Sequence, residues 1–199
     1  SIVPRPIQKP HPPLWQVVDS NSSIEWAGKN GINTIMWIPT VNTLKKRFEV
    51  YKNARSVYDK KNIEMGDGIC LVRDMFIADS MEEAKEKAGQ QMVNYIKWVC
   101  HWRGLGNHMD PDEELPKTKG KLDLLNYEFL HKRNMLFGTP DYVVEKIKEL
   151  KSELNLKNLQ VWSNMPGVKH EDAMRSIKLF NDEVIPKINS LKSEVRQAS

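Results

Sequence analysis

Asp19, Ser20, Asn21, Ser22 and Ser23 form an unbroken polar stretch between an apolar run at residues 14–18 and a helical pattern through Ile24, Glu25, Trp26 and Ala27. The run is rich in β-branched and aromatic residues and suits a buried strand. Ser22 and Glu25 stand at capping-box spacing, which sets the expected helix start at Ser22. Hydroxyls beside free backbone N–H groups, at the positive end of a helix dipole, suit a phosphate. On the residues alone, an ordinary capped turn between strand and helix explains the same pattern, and such caps are far commoner than phosphate sites. Trp37 is the second candidate, at the end of an apolar run over residues 33–38. Arg73 stands inside another, residues 69–78, where it could face the interior. Cys100, His101 and His108 offer metal-ligating atoms, but no fourth ligand follows at recognisable spacing, and no metal is expected.

The elements that must position these groups alternate in type. Residues 3–13 hold five prolines and read as an extended connector. Strands are expected at 14–18, 33–38, 69–78 and 158–162. Helices fall between and after them, with stripes such as Leu44, Phe48, Tyr51 and Tyr58, or Ala84, Ala88, Met92, Tyr95 and Val99. Gly31 takes the positive φ that ends the first helix. Thr139-Pro140-Asp141 is a helix start with Thr as cap, and Val143, Ile147, Leu150 and Leu154 follow as its stripe. The final helix carries Ala173, Ile177, Phe180 and Val184 and is expected to end at Pro186. The organisation reads as one partial domain. A connector (1–13) precedes three βα units (14–99), an irregular insertion (100–137) with a short helix near 122–131, a last helix, strand and C-terminal helix (138–188), and a polar tail (189–199). Alternating strands and helices imply parallel, right-handed βαβ units. Four units make half of an eightfold barrel, which takes about 250 residues when complete. An open doubly wound sheet is the competing architecture.

Composition bounds the function. Thirty basic and 26 acidic residues give +4 without a long basic stripe, so no nucleic-acid partner is expected. No apolar run approaches the ~20 residues of a membrane helix, and no membrane association is expected. Two cysteines, Cys70 and Cys100, without C-x-x-C spacing suit a reducing, cytoplasmic setting.

These residues resemble the C-terminal half of the bacterial-luciferase-like, flavin-dependent monooxygenases over about residues 3–188. The likeness rests on the proline connector and Val17-Val-Asp-Ser-Asn-Ser-Ser-Ile-Glu-Trp26. It continues through Ile35-Met-Trp37, Ala78-Asp-Ser-Met-Glu-Glu-Ala84, Gly138-Thr-Pro-Asp141 and Leu179-Phe-Asn-Asp-Glu-Val-Ile-Pro186, in order. The resemblance implies strands five to eight of a TIM (β/α)8 barrel. It assigns Asp19, Ser20, Asn21, Ser22 and Ser23 to the FMN phosphate and Trp37 to the isoalloxazine ring. Asp19, a carboxylate beside phosphate, must then act through its backbone or point away. None of His11, His101, His108, His131 or His170 matches the family's histidine, so no catalytic residue is assigned.

The implied activity is oxygenation of a small organic substrate by reduced FMN and O2, with a flavin reductase as partner and a dimer as the expected assembly. Two alternatives share the fold: an oxidoreductase using the deazaflavin F420, and a non-catalytic flavin-binding protein. A half-barrel that only dimerises to cover its edges is a third.

Overall fold

The computed structural model describes residues 3–103, 109–110, 113 and 125–189. Strand β1 (Trp15–Val17) leads through the polar loop into helix α1 (Asn21–Lys29), and β2 (Asn33–Met36) leads into α2 (Val41–Asp59). Strand β3 (Ile69–Ile77) is followed by α3 (Met81–Ala84), a π-helical turn (Lys85–Gly89) and α4 (Gln90–Arg103). Next come α5 (Tyr127–Asn134), β4 (Leu136–Gly138) and α6 (Pro140–Leu154). Strand β5 (Asn158–Trp162) then feeds α7 (His170–Leu179) and a second π-helical turn, Phe180–Val184.

All strand pairs are parallel. The four strands expected from the sequence lie side by side as β1-β2-β3-β5, as consecutive strands of a barrel do. Cys70 and Leu71 of β3 are paired on both sides, with β2 and with β5. The short β4 extends this sheet beside Met75, Phe76 and Ile77. The register places Val17, Ile35, Cys70, Val72, Asp74, Gln160 and Trp162 on one face, because partnered residues share a side and neighbours alternate. Thr34, Met36, Leu71, Arg73, Leu159 and Val161 occupy the other.

Helices cover that second face. Ile24 and Ala27 of α1 and Leu44, Phe48 and Tyr51 of α2 bury against Met36, Ile69 and Leu71. Val143, Val144 and Ile147 of α6 pack with Val184 against Met75 and Ile77. Ala84, Ala88, Met92 and Ile96 close a third cluster with Phe76, Leu130 and Phe137. Gly31 has φ 70°, and Thr139 caps α6 by accepting the Tyr142 N–H at 3.3 Å, both as expected.

Three expectations differ from the structure. Tyr58 lies outside the core at 54% exposure, 5.8 Å from the Arg55 guanidinium. Pro186 does not end the last helix, which runs on to residue 189. The π-helical turn just before it re-routes the hydrogen bonds that a proline would otherwise break. Within 100–137, the described residues at both ends are regular. Helix α4 runs into its start, and α5 and β4 occupy its end. Residues 122–124 of the expected short helix, and the tail from 190, lie outside the described residues.

Helices α1 and α2 meet at Gly28. A Cβ there would lie 2.7 Å from Ala54 Cβ and 3.0 Å from the Arg55 backbone nitrogen, atoms that no rotamer change can move. Gly28→Val is therefore expected to lower stability by about 2–3 kcal/mol through overpacking. Urea denaturation checks this, and a change below about 0.5 kcal/mol would show that the two helices separate freely.

Candidate functional site

The first face of the sheet lines a cavity of about 640 Å³. Val17, Ile35, Val72 and Gln160 contribute from the strands. Trp37 follows the last residue of β2, Trp162 ends β5, and Tyr95, Trp98 and Val99 reach in from α4. The volume falls in the range of small-ligand sites, and the lining is dominated by apolar and aromatic groups. Trp37, Tyr95 and Trp162 touch as a triad with centroids 5.6–5.8 Å apart, and Tyr95 stacks on Trp98 at 6.4 Å.

Trp37 is held from both sides by consecutive residues of β3. Its indole N–H donates to Asp74 Oδ2 at 2.9 Å. Its carbonyl accepts from the Arg73 guanidinium, which also donates to the Pro39 carbonyl at 2.8 Å. Neighbouring strand residues point to opposite faces, so Arg73 grips the backbone from the helix side and Asp74 the indole from the cavity side. Arg73 therefore does not face the interior. Both groups are buried, at 2% and 1% exposure. Desolvation pushes Asp74 up to about 6, although the Trp37 hydrogen bond and Arg73 pull it down, and pushes Arg73 down to about 10. The second Asp74 oxygen, Oδ1, is buried without a hydrogen-bond partner.

At the polar loop the helix starts at a different serine. Ser20, not Ser22, is the cap of α1. Its hydroxyl accepts the Ser23 N–H at 3.2 Å, and the Ser23 hydroxyl accepts the Ser20 N–H at 3.2 Å. A serine three residues on thus closes the capping box, and Glu25 is free to pair with Lys29. Ser22 sits outside the box, its hydroxyl 3.0 Å from that of Ser20. Ser20, Asn21 and Ser22 are exposed, and α1 has no acidic residue in its first turn. The first N–H groups of a helix have no carbonyl partner within it, so this end can receive an anion. Burial lowers the Arg47 guanidinium and the Asp19 carboxylate partly restores it, so Asp19 is charge-balanced by α2. The loop and the cavity adjoin: Val17 lines the cavity, and Ser20 caps α1 three residues later.

The remaining candidates sit elsewhere. The His131 ring stacks on Tyr127 and Tyr142, with Nε2 2.7 Å from the Phe137 carbonyl oxygen. His101 is exposed on α4, and His108 lies outside the described residues. Among the described residues no three His, Cys, Asp or Glu side chains gather to hold a metal. Asp74, Tyr95, Trp98 and Trp162 are the site residues that sequence reasoning did not single out as such. An adjacent Arg-Asp pair inside an apolar strand was the available signal.

The raised Asp74 value has a stability consequence. The folded chain binds this proton more tightly than the unfolded one, whose carboxyl titrates near 3.8. Stability is therefore lost as pH rises from about 4 through about 6, and the ionised group costs up to about 3 kcal/mol at neutral pH. Asp74→Asn keeps an acceptor for Trp37 and is expected to stabilise the protein at pH 8 by up to that amount. The gain should vanish near pH 4. Chemical denaturation at both values checks it, and a destabilised variant at pH 8 would contradict the reading.

Known proteins share this architecture. A flavin-dependent trigonelline monooxygenase, oxygenase component, from Acinetobacter baylyi is 23% identical over 98% of this chain and 54% of its own length. The chain thus spans about half the length of the curated relative it matches. The oxygenating constituent of 3,6-diketocamphane monooxygenase from Pseudomonas putida, solved with FMN, superposes with a TM-score of 0.68 at 23% identity. That match covers 89% of this chain and 49% of the other. An F420-dependent secondary alcohol dehydrogenase, solved with an F420-acetone adduct, superposes with a TM-score of 0.58 at 13% identity, over 88% and 48%. The parallel βα units are therefore half of a barrel of this type. The model of the luciferase-like monooxygenase family matches residues 1–154, and the chain belongs to that family.

Proposed function

We propose that this chain is the flavin-holding half of an FMN-dependent monooxygenase that oxygenates a small organic substrate. The observation that carries the reading is the adjacency of an anion-receptive helix start and an aromatic cavity, which matches the two ends of FMN. Ser20, Asn21, Ser22 and Ser23 would hold the phosphate, with Asp19 contributing its backbone while its side chain faces Arg47. Trp37 would pack by the isoalloxazine ring, kept in place by Asp74 and Arg73. Bound reduced flavin would supply the electrons and the O2 chemistry. The chain's own part is to bind, orient and exclude water, and the apolar lining of the cavity supports the last of these. A separate flavin reductase, as the wording "oxygenase component" suggests for the relative, a dimeric assembly and a cytoplasmic setting belong to the same reading. A second reading, hydride transfer with F420, has one observation in its favour: the likeness to the F420-dependent dehydrogenase.

Ser22 is the clean probe of the phosphate role, because Ser20 and Ser23 make the capping box and their loss would cost about 1 kcal/mol of stability. A charge-assisted hydrogen bond is worth roughly 1.5–3 kcal/mol. Ser22→Ala is therefore expected to weaken FMN about tenfold or more while leaving riboflavin, which lacks the phosphate, unchanged. Fluorescence titration of both flavins and of F420 against both proteins is the measurement. Equal losses for FMN and riboflavin would remove the phosphate role. F420 binding without FMN binding would turn the choice to the second reading.

A further inference from the structure

We propose that Asp110 is a positioning residue for Trp37, tying the turn that begins at Trp37 to helix α5. This rests on the flavin reading for what Trp37 supports; where Trp37 stands follows from the chain's own contacts. Asp110 and Glu113 are described residues between α4 and α5. Asp110 is 7% exposed, and its carboxylate accepts the hydroxyl of Thr40 at 2.5 Å and that of Thr43. Its backbone N–H donates to Glu113 Oε2 at 2.8 Å. Arg133 of α5 in turn grips both oxygens of Glu113, at 2.5 and 2.8 Å.

Helix α2 is 19 residues long and has no acidic residue in its first turn, and its N-cap residue, Thr40, makes no side-chain bond to the helix backbone. A threonine in that place ordinarily accepts the N–H of the second or third helical residue. Here Thr40 donates to Asp110 instead, and Asp110 brings the negative charge to the positive end of the helix. Burial pushes the Asp110 carboxyl up, but the bonds from Thr40 and Thr43 and the charge of Arg133 outweigh it and hold it below its ordinary value. The charge that caps α2 thus comes from a distant part of the chain.

Thr40 also closes an unbroken series of ties. The carbonyl of Trp37 accepts from Arg73, that of Ile38 from Asn134 at 2.7 Å and that of Pro39 from Arg73 at 2.8 Å. Asn134 and Arg133 are neighbours on α5. One end of that helix therefore holds the turn directly at Ile38, and at Thr40 through Glu113 and Asp110. Capping alone requires none of this, since the Thr40 hydroxyl could cap α2 by itself. The arrangement fixes where the turn sits, and Trp37 is its first residue.

The test uses three variants of the intact protein. Thr40→Val cuts the tie and leaves the Asp110 charge over α2, Asp110→Asn removes the charge as well, and Thr40→Ser keeps the hydroxyl. The readouts are the Trp37 indole N–H signal by NMR, stability to urea, and the affinities of FMN and riboflavin by fluorescence titration. Thr40→Val and Asp110→Asn are both expected to shift the Trp37 signal and to weaken the two flavins equally, about fivefold, because the ring is common to both. Thr40→Ser should match the wild type. A cap role alone predicts lower stability for Asp110→Asn with the Trp37 signal unmoved in Thr40→Val, and that result overturns the proposal. If Asp110→Asn does not fold, Thr40→Val against Thr40→Ser decides. A wild type that binds neither flavin refutes the flavin reading, and the Trp37 signal, shifted or unmoved, then decides the positioning role by itself.

Discussion

The site depends on the grip that two consecutive residues of β3 keep on Trp37. Strand alternation sends Arg73 and Asp74 to opposite faces of the sheet, so one takes the backbone carbonyl of Trp37 and the other its indole. Such a grip works only from the middle of a sheet. β3 is paired with β2 and β5 at Cys70 and Leu71, and Arg73 and Asp74 remain paired with Val161 and Trp162 of β5. The chain from Trp37 to Pro39 leaves β2 without ladder partners of its own. Arg73 and Asn134, which donates to the Ile38 carbonyl at 2.7 Å, supply the donors that the ladder no longer provides. The result is a tryptophan at a strand end whose indole and backbone carbonyl are both hydrogen-bonded, a well-braced support for anything that stacks on it.

The polar loop is held in a comparable way. Ser20 and Ser23 direct their hydroxyls to each other's N–H groups, so the helix start is fixed by the loop's own side chains. Preorganisation of this kind keeps the entropy of ordering a loop out of the binding step. The serines also differ in role, since two of them build the turn and Ser22 projects from it. Asp19, which looks repulsive to an anion in the sequence, is balanced by the buried Arg47 of α2, the helix that follows Trp37. The polar loop and Trp37 thus share supports on neighbouring βα units.

Much of this was legible in the sequence. The four main strands, the Thr139 cap and the polar loop follow from local rules, because propensity, capping and alternation act over a few residues. What failed needed tertiary information. β4 is three residues long, and only its pairing with the end of β3 makes it a strand. Ser20 and Ser22 both satisfy the cap pattern, and the choice between them depends on where β1 releases the chain. Asp74 reads as an interruption of an apolar strand until the register shows which face it shares with Trp162. Tyr95 packs against the core cluster as its place in the stripe implies, and it also lines the cavity, which the stripe did not reveal.

That double role belongs to a helix of unusual geometry. The helix carrying Tyr95 contains the π-helical turn Lys85–Gly89. One added residue within a turn advances everything after it by about 100° around the axis. Before the turn, Ala84 and Ala88 face the core, and small residues there let the helix lie close. After it, Met92, Val93 and Ile96 keep a core face, while Tyr95 and Trp98 come round to the cavity. Gly89, the last residue of the turn, lets the Tyr127 ring of α5 lie close, since a Cβ there would be 2.8 Å from it. Tyr95 and Val99 belong to both faces, so the helix serves the packing and the site along one edge, just after a π-helical turn of the kind often found where function meets structure.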